Sequence, residues 1–237
     1  MIRKQYFHGL ICLGLILTPI TWAAAQEITQ VSFKPPADEG VPNRTKGLGS
    51  RGGKCPLDGA DQSQMKALVP ASNVGLTISS NPTFWVYLPK TYAKRMVLSI
   101  MEIQDNGAEK HLSQNFLTVP EASGVIGLTP NPDTPPLEVG KTYKWAVTLI
   151  CGEKQNITRD PRAVAIVHRV VAPSLNGPEE ALGRAVWYGD RGIWYDALSS
   201  LAQARREQPH NSALTKTWTD FLDSAGLEGS ATKDLIF

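Results

Sequence analysis

The chain has 237 residues, 42% of them hydrophobic and 19% charged, with 24 Lys and Arg against 22 Asp and Glu. That length supports one sizeable core, or a domain of about 100 residues with an appendage. A near-balanced charge without basic clusters removes the electrostatic drive toward nucleic acid or an anionic membrane, so no nucleic-acid partner is expected.

Residues 1–25 read as a secretory signal. Arg3 and Lys4 give a positive start, Gly9 to Ile20 an apolar stretch, and Ala23, Ala24 and Ala25 a small-residue cleavage site before Gln26. The apolar stretch is short for the roughly 20 residues that a spanning helix needs. No second long apolar run follows, so no transmembrane segment is expected after cleavage. Cleavage removes two bases and no acid, which leaves 22 of each.

Residues 26–63 carry proline, glycine and charge without periodicity, which predicts an extended lead-in. Within it "GLGSRG" matches G-x-G-x-x-G at Gly47, Gly49 and Gly52. Neither a strand before it nor a helix after it is expected, and a dinucleotide site needs both. The run is read as a turn, and no cofactor is expected. Signal removal leaves two cysteines, Cys55 and Cys151. In an oxidising compartment that pair is most simply one disulfide clamping the lead-in to the folded body, with two buried thiols as the alternative. Neither has a CxxC neighbour, so redox catalysis and a zinc site are not supported.

From 64 to 172 the texture becomes short apolar runs separated by turns. Candidate strands are 65–70, 75–79, 83–88, 95–103, 110–119, 124–129, 141–151 and 162–171, with "SNP", "DNG" and "NPDTPP" between some of them. Many short strands at this spacing predict an all-β sandwich or barrel. In 141–151 Tyr143, Trp145, Val147, Leu149 and Cys151 alternate with smaller or polar residues, as in a central strand with one wet side. "LEVGKTY" resembles the tyrosine-corner entry to the sixth strand of immunoglobulin-like and fibronectin type III domains, and "NPTFWVYLP" an early aromatic strand of that fold.

Residues 173–237 are predicted helical. Pro178, Glu179 and Glu180 suit a helix start. Trp194, Ala197, Leu198 and Leu201 share one helical face, and Leu214, Trp218, Phe221 and Leu222 another, with Asn211 or Ser212 as a cap. The block resembles a single tetratricopeptide-type repeat, a helical hairpin that cannot bury its own faces.

No catalytic set emerges. His111, His168 and His210 fall on different elements without metal-ligand spacing, there is no G-x-S-x-G elbow, and Glu121, Asp133, Glu138 and Glu153 are loop carboxylates. The aromatics carry more information. In 84–88 bulk faces both sides, and only one side fits a two-layer core. Trp85, Tyr87, Trp194 and Tyr195 are therefore the candidate interaction surface, unless the C-terminal helices cover them. Trp187 and Tyr188 stand under the same two readings.

Together, "GLGSRGGKCP", "ALVP", "GLTISSNPTFWVYLP", "PPLEVGKTYKWAVTLIC" and "GIWYDALSSLAQAR" closely resemble the cyanobacterial family catalogued as domain of unknown function 928, over about residues 47–204. The resemblance implies an exported protein in an envelope setting and carries over no catalytic residue. The expectation is a non-enzymatic interaction or accessory module, periplasmic or at the cell surface, with a protein partner of the envelope. The alternative is a carbohydrate-binding module or weak glycan hydrolase using the same aromatics, which makes a glycan the second candidate ligand.

Overall fold

A computed structural model of the chain describes residues 30–36, 55–58, 64–72, 74–153, 159–174, 177–231 and 234–236. The signal reading at 1–25, the run Gly47, Gly49 and Gly52, and most of the loop after Cys151 lie outside them. The described chain is mainly β, with two sheets followed by helices.

The strands are β1 Lys66–Ala67, β2 Val74–Thr77, β3 Phe84–Leu88, β4 Arg95–Ile103, β5 Glu109–Thr118, β6 Gly124–Leu128, β7 Thr142–Ile150 and β8 Arg162–Arg169. They form a three-stranded sheet in the order β1-β3-β6 and a five-stranded sheet in the order β2-β8-β7-β4-β5. All pairings are antiparallel except β2 with β8. The β4–β5 hairpin turns at Gly107, whose φ of 80° is the left-handed conformation that an L side chain resists.

The sheets face each other through alternate residues of their strands, which in β7 are the ones the period-two pattern of 141–151 singles out. Phe84 of β3 lies 4.8 Å, centroid to centroid, from Trp145 of β7. Val86, Leu88, Leu98, Ile100, Tyr143, Val147 and Leu149 complete the layer between them. The opposite face of β7 is not wet as expected. Thr142, Thr148 and Ile150 are buried and Lys144 and Ala146 are half-buried. β7 is central, and its small outward side chains sit beside Val97, opposite Thr148, and Val164, opposite Ala146, which shield them.

The helices are α1 Ala181–Gly189, α2 Trp194–Glu207, α3 Ser212–Ser224 and the single turn α4 Glu228–Ala231. Asn211 caps α3, its side chain accepting from Ala213 N–H and Leu214 N–H. α1 starts later than the Pro178 signal suggested, with Glu180 as its uncapped N-cap residue. The helices lie on the outer face of the three-stranded sheet, where Trp85 meets Trp218 of α3 edge to face at 6.3 Å.

Two segments without periodicity also join the core. Val31 and Phe33 are buried, so the start of the expected lead-in is packed. Phe33 contacts Trp194 edge to face at 5.0 Å, and its N–H donates to Ser224 Oγ at 3.0 Å. The α1–α2 turn accepts this strap at Gly192, whose φ is 68° and where a Cβ would lie 2.9 Å from Lys34 O. At the other end, Leu235 bridges to Val125 of β6 in parallel.

Candidate functional site

The four aromatics singled out from sequence are all inside the molecule. Trp85 is 8% exposed, Tyr87 9%, Trp194 0% and Tyr195 1%. As a free docking surface this set is closed: α2 and α3 cover Trp85, while Trp194 and Tyr195 face inward from α2 and Tyr87 is buried. The same burial removes Trp85 and Trp194 as stacking platforms for a sugar.

Their polar tips explain the arrangement, since an indole N–H or phenol taken from water needs a partner. Trp194 Nε1 donates to Leu68 O at 2.8 Å, and Trp85 Nε1 donates to Ser199 Oγ of α2 at 3.0 Å. Tyr195 reaches between the sheets, accepting from Trp145 Nε1 at 2.6 Å and donating to Ile166 O at 3.0 Å. Burial pushes the Tyr195 phenol far above its ordinary range, so the hydroxyl keeps the proton it donates. Asp196, in the first turn of α2, accepts from Thr77 Oγ1 at 2.8 Å and Ile78 N–H at 3.1 Å. Burial raises its pKa, and those two hydrogen bonds pull it back only in part. The start of α2 is thus fastened to both sheets. Gly75 makes the fit possible, because a Cβ there would lie 2.6 Å from Tyr195 Cε2.

Of the large apolar residues that stay exposed, Leu57 and Tyr92 lie together at the other end of β3, while Phe116, Val139 and Val171 stand elsewhere. Cys55 and Cys151 form a disulfide across 96 residues of sequence. The turn that follows Cys55 is closed by Asp58 N–H donating to Cys55 O at 2.9 Å. The Asp58 carboxylate then accepts from Thr91 Oγ1 at 2.9 Å and Tyr92 N–H at 2.9 Å, which fixes the β3–β4 connection against that turn. These two fastened turns carry Leu57, 75% exposed, and Tyr92, 62% exposed. Lys90, Lys94 and Arg95 are exposed beside Tyr92. Arg95 Nη2 donates to Glu153 O at 2.7 Å, tying β4 to the chain just past Cys151. Sequence reasoning passed over Leu57 and Tyr92. Their signal was a lone large apolar residue in each of two turn segments, beside Cys55 in one case and between Lys90 and Lys94 in the other.

The remaining candidates do not converge. His111 and His210 are exposed on β5 and on the α2–α3 loop. His168 pairs its Nδ1 with Thr142 Oγ1 at 2.9 Å, and burial lowers its pKa. Glu138 pairs with Lys141, as does Glu102 of β4. Glu121, Asp133 and Glu153 are exposed on three different loops. Among the described residues no group of three or more His, Cys, Asp or Glu side chains is placed to hold a metal ion. Trp187 of α1 is half-buried beneath the Arg191 guanidinium, 4.1 Å from the ring centroid. Tyr188 is half-buried against the core.

A two-sheet, disulfide-clamped body with its helices fastened to both sheets is the class of protein these observations define. The chain belongs to the family described as Domain of Unknown Function (DUF928), which it matches over residues 46–235. No curated protein matches it. Among the described residues no helix is long and apolar enough to cross a membrane.

Proposed function

We propose that the chain is an exported, non-enzymatic interaction module of the cell envelope, and that it meets a protein partner through the disulfide end rather than through its buried aromatics. One observation carries this reading. Leu57 and Tyr92 are large, apolar and exposed on turns held by a covalent bond and by the Asp58 hydrogen bonds. Side chains carried on turns already held in place need little further backbone ordering on binding, and a Tyr beside basic residues is a common anchor composition at interfaces. Lys90, Lys94 and Arg95 favour a partner that offers an apolar pocket with an acidic rim. A disulfide in the clamp suits an oxidising compartment, which supports export to the periplasm or the cell surface.

The body is read as an immunoglobulin or fibronectin type III-like sandwich. The sheet orders, the parallel β2–β8 pair, and Glu138 N–H donating to Tyr143 OH at 2.8 Å just before β7 all support that reading. The hairpin of α1 and α2 is read as one tetratricopeptide-like unit whose usual neighbour repeat is replaced by the sandwich.

The test is in-cell crosslinking from a photoreactive residue at position 92, compared with one at Val171, which is 72% exposed and away from the clamp. The reading expects a discrete protein adduct from position 92 that falls at least fivefold when Leu57→Ala is added. Equal adduct patterns from the two positions would remove it.

A further inference from the structure

β6 is one edge of the three-stranded sheet, and the chain closes part of that edge with its own C-terminal segment. Val125 N–H donates to Asp234 O at 2.7 Å, and Ile236 N–H donates to Val125 O at 2.8 Å. Leu235 and Ile236 are half-buried against the main core. The edge is shaped for close backbone approach, because a Cβ on Gly124 would lie 2.5 Å from Asp234 O and 2.9 Å from Ile236 Cγ1. Any other residue at position 124 would push the tail away.

Among the described residues the ladder is one residue long. In an antiparallel strand the backbone groups alternate in direction, so Gly127 turns its N–H and C=O off the same edge as Val125. Gly127 is exposed and makes no backbone hydrogen bond to the tail among the described residues. A partly filled edge of this kind is a template for further pairing. Among the described residues the grip consists of two backbone hydrogen bonds, two half-buried aliphatic side chains and the Asp234 charge acting on Arg205, with only residues 232 and 233 between this segment and α4.

We propose that the β6 edge is a strand-accepting site whose ligand is the Asp234–Ile236 segment, exchangeable with the same segment of a second copy of this chain. The second copy is the occupant that the geometry favours, since it brings the same Asp-Leu-Ile order to the same glycine-lined edge. An exchanged segment keeps every contact of the closed form, so exchange costs little beyond association itself.

The acceptor for the test is the full-length chain carrying Leu235→Asp and Ile236→Asp, which weakens the tail's grip and leaves β6 untouched. The probe is a fluorescent peptide of residues 230–237, followed by anisotropy, with circular dichroism to establish folding. Binding to this variant is expected to be saturable and at least tenfold tighter than to the wild-type chain, whose own tail competes. Adding Gly124→Ala is expected to cut it at least tenfold, and labelled variant mixed with excess wild-type chain is expected to sediment partly as a dimer. Should the double variant fail to fold, Ile236→Asp alone is the acceptor for the same comparisons. Equal peptide binding by variant and wild type would overturn the proposal. So would equal binding of a scrambled peptide, which would make the edge an unselective acceptor, or a mixture that stays monomeric.

Discussion

Tyr195 joins three parts of the molecule through one hydroxyl, standing on α2 and bonding to β7 through Trp145 and to β8 through Ile166. Tyr195→Phe keeps the ring but strands the buried Trp145 indole N–H. It is expected to cost about 1–3 kcal/mol, read as a lower urea midpoint at unchanged slope. Gly75→Ala drives a methyl into the same ring and is expected to cost about 1–3 kcal/mol by overpacking. Asp196 gives a pH signature. Burial raises its folded-state pKa above 3.8, so the folded chain holds this proton where the unfolded chain has released it. The associated stability is fully present below the unfolded value and is lost as pH rises through the folded one. Asp196→Asn keeps the acceptor for Thr77 and Ile78 and cannot ionise. Its stability relative to wild type should therefore climb as pH rises from about 4 toward neutrality. A constant difference between the two chains across that range would rule out this role for the carboxyl. The sequence made the bulk of Trp85, Tyr87, Trp194 and Tyr195 plain, because side-chain size is local. It left their covering undecided, because the partners of the polar tips are remote: Leu68 lies 126 residues from Trp194, and Ser199 lies 114 from Trp85.

At the scale of elements, what repeats along the chain was legible and what pairs across it was not. Each of the eight short apolar runs overlaps a strand, since a run bounded by turn residues is written in a few consecutive residues. The cap at Asn211 was legible for the same reason. The packed strap at 30–36 and the tail at 234–236 have no period. They are held by a few remote contacts, among them close backbone approach at Gly192 and Gly124. The dry outer face of β7 depends on its neighbours β4 and β8, which sequence order does not reveal. The Cys55–Cys151 pairing was the simpler of two readings once the expected signal and an oxidising compartment were assumed, while its local consequence, an Asp58 turn gripping Thr91 and Tyr92, was not legible. Reduction of that disulfide opens a loop of 96 residues. In the chain-entropy account this loses roughly 4 to 5 kcal/mol, an upper figure for a measured range of about 2–5. Hydrogen exchange at Tyr92 and Ala93 should rise on reduction while the centre of β7 stays protected. Unchanged exchange at those two amides would show that Asp58 holds the connection alone.

For the whole molecule, the helices are part of the β body rather than an attachment to it. Phe33, Leu68, Trp85, Trp145, Trp194, Tyr195, Trp218 and Phe221 belong to one continuous core spanning strap, both sheets and helices. Helix and sheet should therefore unfold in a single transition, with far-ultraviolet circular dichroism and tryptophan fluorescence coinciding along a urea titration. The same packing divides the aromatic residues into those used for cohesion and those left for contact. Hydroxyl-radical footprinting of the folded chain reads both sets in one experiment. The account predicts that Leu57 and Tyr92 oxidise rapidly, while Trp145, Trp194, Tyr195 and Trp218 stay protected until urea unfolds the chain. Oxidation of Trp194 and Tyr195 in the native protein at rates matching Tyr92 would contradict it.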